Sequence, residues 1–386
     1  SEVRVNNLSN ENNTGGPTIS GITTYSSTNF FVPPQGDTAS RPSGCPPGSL
    51  RFNTDSAKLE YYRGNTIGWV EIEAELTAPL GGGTGSNTGL GTRMVLMGGT
   101  DGSGVVDVIQ FITISTLGNA QDFGNLSSAR QEGAAATNHL RGLYFGGDPS
   151  LNIIEFVTFS SLGNVTDFGD LLNGAKSGTS MSDRTRGVLQ LGGPTANILE
   201  YVTFAQTGNA VDFGDMLTGG SAGSGFSSST RGVYAIGSNS ANYKNIIEFI
   251  TISTTGNGTD FGDLSAALIH RNAYSNATRG VFHSGYQYPA SPNFSNNIEY
   301  VTIASTGNTI DFGDSLLGGF GCGGSSPTRG VAGGGYFANS PTGEVGGFTN
   351  IIDFIEIATT GNAVDFGDTT NVVRHIKGGS NGHGGL

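Results

Sequence analysis

Apolar positions along this chain fall into short runs in a fixed order, and from residue 93 onward that order recurs six times. Each unit reads R-G-V-x-x-x-G-G, a variable polar stretch, then a continuous apolar run such as N-I-I-E-F-V-T-F. A turn, G-N-x-x-D-F-G-D-L and a string of small residues complete it. The Asp-Phe-Gly triplets begin at Asp122, Asp167, Asp212, Asp260, Asp311 and Asp365. Successive units are thus offset by a near-constant interval, within the range of propeller repeats. Runs this short, β-branched and aromatic, and bounded by glycine predict strands. Each unit yields four, as in residues 133–137 (strand a), 142–147 (b), 153–159 (c) and 165–171 (d). Strand c is apolar on both faces, as expected where neighbours cover both sides. The fold class is therefore all-β, and this period predicts a six-bladed β-propeller with one blade per unit.

Spacing shows where the units vary. The interval from the start of strand c to the Gly of Gly-Asn is identical in every unit, from Asp107 to Gly118 through Asn350 to Gly361. The interval from the Arg that opens strand b to strand c is not. It is shortest from Arg141 to Asn152 and from Arg186 to Asn197, and longest from Arg329 to Asn350. Length change is thus concentrated in the b–c connection, which emerges on one face of a ring of equivalent blades. Two segments compete for the missing strand of the first unit. One is residues 80–85 and the other the tail near residues 375–380, which is favoured.

Composition narrows the function classes. Glycine is extreme at 65 residues, but there is no G-X-Y period and only 13 prolines, which excludes collagen. Twenty-two Phe and twelve Tyr argue for a packed core. A formal charge of −13 disfavours nucleic acid and anionic lipid as partners. No apolar run approaches the ~20 residues of a membrane-spanning helix, so no membrane partner is expected. Cys45 and Cys322, far apart in sequence, read as two free thiols.

Three charged columns recur. Arg93, Arg141, Arg186, Arg231, Arg279 and Arg329 open strand b, and the triplet Asp is present in all six units. The third column is Gln110, Glu155, Glu200, Glu248, Glu299 and Asp353. The expected role is structural, each Arg pairing with a carboxylate of its own or the next blade. Calcium at turns such as Asp260 with Asp263 is the competing reading, but two carboxylates per turn fall short of six to eight oxygens. No cofactor or metal is expected. The five histidines show no shared repeat position, and no G-x-S-x-G, H-E-x-x-H or P-loop is present, so no catalytic residue is assigned. Residues that break the symmetry lie in the b–c loops: Tyr243, Tyr286, Tyr288, Phe294, Tyr336, Phe337 and Phe348. Aromatic loop side chains serve either contact with a sugar or protein, or packing of the loop itself.

Residues 1–47 are polar and rich in Ser, Thr, Asn and Pro, and read as an extended arm. Residues 48–79 form a small β-module of three strands, with turns at Asn53-Thr54-Asp55 and Gly64-Asn65 and Trp69 as anchor; residues 80–386 hold the propeller. Strand b ending in Gly-Gly before two aromatic-bearing strands resembles the kelch blade, without the usual kelch Trp. The segment G-S-L-R-F-N-T-D … L-E-Y-Y … W-V-E resembles a short β-module of tailed-phage structural and fibre proteins. The repeat N-I-I-E-F-I-T-I … G-N-x-x-D-F-G-D-L resembles repeats in large virion proteins of cyanobacterial phages. The resemblance implies a non-enzymatic virion protein, docked by its N-terminus on capsid or tail proteins and displaying the propeller as a fibre or decoration domain. It also implies self-association, with a trimer as the usual form of such fibres. The alternative is a tail-fibre propeller that binds a host-surface glycan through the loops of the fifth and sixth units.

Overall fold

The computed structural model describes residues 33–56, 58–71, 92–192, 197–239, 242–287, 294–336 and 347–386. The chain divides into two compact units, Ser1–Ala74 and Glu75–Leu386. All regular structure among the described residues is β-strand.

In the first unit Leu50–Asn53, Lys58–Tyr62 and Trp69–Glu71 form the antiparallel meander expected from the sequence. The sheet also takes in Gln35–Gly36, from the segment read above as arm, which pairs in parallel with Phe52 and Asn53. Trp69 is held by an indole N–H bond to Pro42 O (2.7 Å) and by the Tyr62 ring at 5.3 Å. At the centre the fully buried Glu60 carboxylate accepts from Arg41 Nη2 at 2.6 Å and faces Arg51 Nε at 3.4 Å. Two guanidinium groups around one carboxylate offset the cost of burying its charge.

The second unit contains six four-stranded antiparallel sheets, numbered here by the repeat that supplies strand b. Five have consecutive a-b-c-d strands, as in Ala134–Thr137, Arg141–Phe145, Leu151–Thr158 and Thr166–Ala175. Sheet 1 is composite: Lys377–Ser380 pairs with Arg93–Met97, in the register Lys377 with Met97 and Ser380 with Met94. The tail therefore supplies the missing strand, and residues 80–85 lie outside the described residues. The six a strands touch in the order of the repeats, and Lys377–Ser380 returns to Ala134–Thr137. Their last residues, Thr137, Ser182, Ser227, Ser275, Ser325 and Ser380, form a girdle. Each hydroxyl bonds the backbone of a neighbouring a strand, and Thr137 Oγ1 donates to Ser380 O at 2.8 Å.

The repeated residues link one sheet to the next. The structure corrects the expected Arg–carboxylate pairing. Each Arg stacks on the aromatic ring of its own strand c (Phe111, Phe156, Tyr201, Phe249, Tyr300, Phe354) at 4.5–4.9 Å. Its Nη1 then donates to the carbonyl just past strand c of the following sheet: Arg93 to Phe159 O, Arg141 to Phe204 O, Arg186 to Ile252 O. The series continues with Arg231 to Ile303 O and Arg279 to Ile357 O, and closes with Arg329 to Ile114 O of sheet 1. Among the described residues Arg329 alone of the six also has a carboxylate neighbour, Glu356 at 2.9 Å. The aromatic under each Arg meets the buried Phe of its own triplet edge-on at 5.8–6.0 Å, a favoured ring geometry.

The triplet and the Gly-Asn turn form a second joint. Phe123 O accepts from Gly163 N–H of the next repeat (2.8 Å), and Asn164 Oδ1 accepts from Asn125 N–H (3.0 Å). The same pair of bonds recurs at every joint, ending with Gly118 N–H to Phe366 O and Asp368 N–H to Asn119 Oδ1. The triplet Asp residues themselves are exposed. The third column gives another joint: Glu200, Glu248, Glu299, Asp353 and Gln110 each accept from a backbone N–H within or just past strand d of the preceding sheet. Among these carboxylates burial raises the pKa of Glu200 and Glu248, each against its own backbone donors.

Size matching distinguishes the closing joint. The Gly of R-G lies under the third residue of the preceding a strand, so a Cβ on Gly280 would meet the Phe226 ring and one on Gly330 the Tyr274 ring. At the joint from sheet 6 to sheet 1 the sizes are exchanged: Met94 occupies the Gly position, and it faces Gly324.

The triplet glycines show how tight these joints are. Gly313 has φ +149°, and a Cβ there would lie 2.4 Å from Gly361 O of the next repeat. Gly313→Ala is expected to cost about 2–4 kcal/mol, combining backbone strain with overpacking. The measurement is the urea midpoint by circular dichroism, with Ala at the unobstructed turn glycine Gly361 as the comparison for φ strain alone.

Candidate functional site

Strand a begins where strand b ends, since Ala134 pairs with Phe145, so the b–c connections and the entries to the a strands share one face. Two positions before each a strand stand Glu132, Ser177, Ala222, His270, Phe320 and His375, all at positive φ between 51° and 66°. Their backbones close a cycle of six hydrogen bonds. Ser177 N–H donates to Glu132 O, Ala222 to Ser177, His270 to Ala222, Phe320 to His270, His375 to Phe320 and Glu132 to His375. This left-handed conformation favours glycine. In a chain with 65 glycines, none of the six positions uses one.

The side chains of this cycle form a narrow mouth. Glu132 joins its two neighbours, accepting from Ser177 Oγ at 2.6 Å and approaching His375 Nδ1 at 3.2 Å. The His270 ring stacks on Phe320 at 4.2 Å, and both meet the edge of His375, at 5.4 and 4.9 Å. Burial pushes His375 down to about 4, against the pull of Glu132, and holds His270 well below the usual imidazole range. Both rings are thus neutral at pH 7.

Phe320 continues the mouth into the loops. It meets Tyr286 at 5.4 Å and Tyr336 at 5.3 Å; Phe294 stacks on Tyr336 at 4.7 Å, and Phe348 meets Tyr336 edge-on at 5.3 Å. Arg374 bonds the Tyr336 hydroxyl and lies over the Phe348 ring at 4.4 Å. Tyr286, Phe294, Tyr336 and Phe348, singled out by sequence, are therefore gathered into one half-buried cluster. Tyr243 stands on a separate two-stranded hairpin with Ser238–Asn239, and Tyr288 and Phe337 lie outside the described residues.

Sequence reasoning misses Glu132, Ser177, His270, Phe320, Arg374 and His375. It also finds no shared position for histidine, whereas His270 and His375 are equivalent in the fourth and sixth a-strand entries. Their signal is the spacing back from strand a, obscured because the six positions share a backbone conformation and no residue type common to all. His383 lies at the opposite ends of the a strands, where Nε2 contacts Thr137 O at 2.8 Å and Nδ1 accepts from Gly385 N–H. His283 is enclosed by Tyr274, Ser315 and Asp353 within the sheets. Among the described residues no group of three or more His, Cys, Asp or Glu has metal-holding geometry. No protein-family model matches this chain, and neither does any curated protein.

The mouth makes stability acid-sensitive. A histidine with a depressed folded pKa binds its proton only on unfolding, so stability is lost as pH falls from about 6.5 through the folded value. His375, facing Glu132, Arg374 and Lys377, and His270, facing Lys377 and His375, both act in this direction. The melting temperature is expected to fall more steeply between pH 6.5 and 4 in the native chain than in His270→Phe, which retains a ring against Phe320. Parallel curves for the two proteins would remove His270 from this account.

Proposed function

We propose that the six sheets are the blades of a six-bladed, kelch-like β-propeller, and that this chain is a non-enzymatic structural protein of a phage virion. On this reading the N-terminal arm and β-module dock on capsid or tail proteins, and the loop face is displayed outward as a fibre or decoration domain. One observation carries it: the repeated Arg, the Gly-Asn turn and the third column are engaged between sheets, while residues that differ between repeats gather on one face. A scaffold of that kind presents a surface and commits its repeated Arg and third-column side chains to bonds between sheets. The cyclic order of the a strands and the strand supplied by the tail support the propeller reading.

A second reading rests on the cluster of Tyr286, Phe294, Tyr336 and Phe348. Half-buried rings beside Arg374 offer flat apolar faces next to a donor, the composition that contacts a sugar ring. In that case the propeller is the receptor-binding part of a tail fibre and its ligand a host-surface glycan.

Quantitative mass spectrometry of purified particles tests the first reading. Its expected result is this chain at a fixed ratio to the major capsid protein, in hundreds of copies for a decoration protein and a few dozen or fewer for a tail position. Absence from particles would sink it. For the second reading, Tyr286→Ala with Phe348→Ala is expected to abolish binding to host cells and glycan arrays while particle incorporation persists.

A further inference from the structure

Between the mouth and the hydroxyl girdle the axis holds a chamber of about 70 Å³. One level of its wall is the first residue of each a strand: Ala134, Thr179, Ser224, Asn272, Cys322 and Lys377. Every polar member of this row carries a donor, namely two hydroxyls, an amide, a thiol and an ammonium group. Among the described residues no Asp or Glu lines the chamber, although the chain as a whole carries 31 acidic residues against 18 basic. Among the described residues the hydroxyls of Thr179 and Ser224 have no hydrogen-bond partner, and Lys377 has neither an acceptor nor a carboxylate within bonding distance. The nearby carboxylate at the mouth, Glu132, is engaged by Ser177 and His375.

An ammonium group held in a narrow chamber, half-buried as Lys377 is, is partly desolvated, and a counter-charge or hydrogen-bond acceptor beside it offsets that cost. A counter-charge is what this wall lacks. We propose that the axial chamber is a binding site for one small monovalent anion, of halide or formate size, held by Lys377 with the hydroxyls of Thr179 and Ser224. A water needs roughly 10–15 Å³ of such volume, so the chamber has room for one small ion with a few waters. The site differs from the loop cluster in place and in ligand. It does not depend on the virion or glycan reading.

The location also gives the anion a role. Lys377 opens Lys377–Ser380, the strand that completes sheet 1, so the bound ion neutralises a charge on the strand that closes the cycle. Burial lowers the Lys377 pKa, and an anion beside it opposes that shift.

The test uses the full chain with bromide as probe. Melting is followed as sodium bromide replaces sodium gluconate at constant ionic strength, gluconate being a far bulkier anion than a halide. The melting temperature is expected to rise with each tenfold increase in bromide, and Lys377→Met is expected to lose that rise while keeping its far-ultraviolet dichroism. Bromide-grown crystals are expected to show an anomalous peak in the chamber beside Lys377. Equal melting in bromide and gluconate, an unchanged bromide response in Lys377→Met, or a map without bromide in the chamber would each overturn the proposal. Should Lys377→Met fail to fold, the native melting series and the anomalous map decide it.

Discussion

The structure depends on an arginine that bridges two sheets through a carbonyl, not a carboxylate. Stacking fixes the guanidinium plane over an aromatic of its own strand c, and that aromatic is braced by the triplet Phe. The N–H groups are then aimed at a carbonyl of the next sheet. Lysine cannot reproduce this, because a point charge on a flexible stem neither stacks nor presents several fixed donors. A carbonyl partner also suits a joint repeated six times, since every residue supplies one, whatever side chain follows strand c. The joint therefore leaves the sequence after strand c free to vary, as Phe159, Ile252 and Ile357 illustrate.

The three kinds of joint divide the molecule by role. The Arg bonds and the Gly-Asn bonds lie at the ends of the strands opposite the b–c loops, so loop length is decoupled from the spacing of the sheets. That is why the interval after the Arg nearly doubles between Arg141 to Asn152 and Arg329 to Asn350, while strand c to Gly-Asn never changes. It also explains how one sector acquires an aromatic cluster without disturbing the others. The cluster combines loop residues of the fifth and sixth repeats with Phe320 from the axial cycle, so the two layers of the face are packed as one.

What is legible in the sequence is whatever side-chain identity enforces. The period, the four strands of each unit and the variable loop face follow from recurring residue types. Partners are legible only where they too are side chains. The arginines read as ion-paired because charge suggests an opposite charge, and a carbonyl acceptor leaves no mark in sequence. The axial cycle is hidden for a related reason. Its requirement is a left-handed backbone, and Glu132, Ser177, Ala222, His270, Phe320 and His375 share that conformation with no common chemistry. The N-terminal module is legible as a meander with its Trp69 anchor. The cluster of Arg41, Arg51 and Glu60 is not, since its members are scattered through polar sequence with no periodic relation.

Sheet 1 has a consequence for how the chain comes to be folded. Its pairing of Met97 with Lys377 joins the two ends of the repeat array, whereas the other five a–b hairpins are local. During synthesis at about 5–20 residues per second, that interval takes roughly 15–60 s. For all of that time the inner edge of Arg93–Met97 has no native partner, and an unpaired edge is a template for a strand from any source. The other a strands each come with their own b strand, so they compete poorly for it. The Met94–Gly324 exchange adds a steric key, because an a strand bearing Phe226 or Tyr274 placed ahead of sheet 1 would clash with Met94 where it elsewhere finds glycine. The nascent chain thus carries its own safeguard against closing a sheet too early, or closing with one repeat too few.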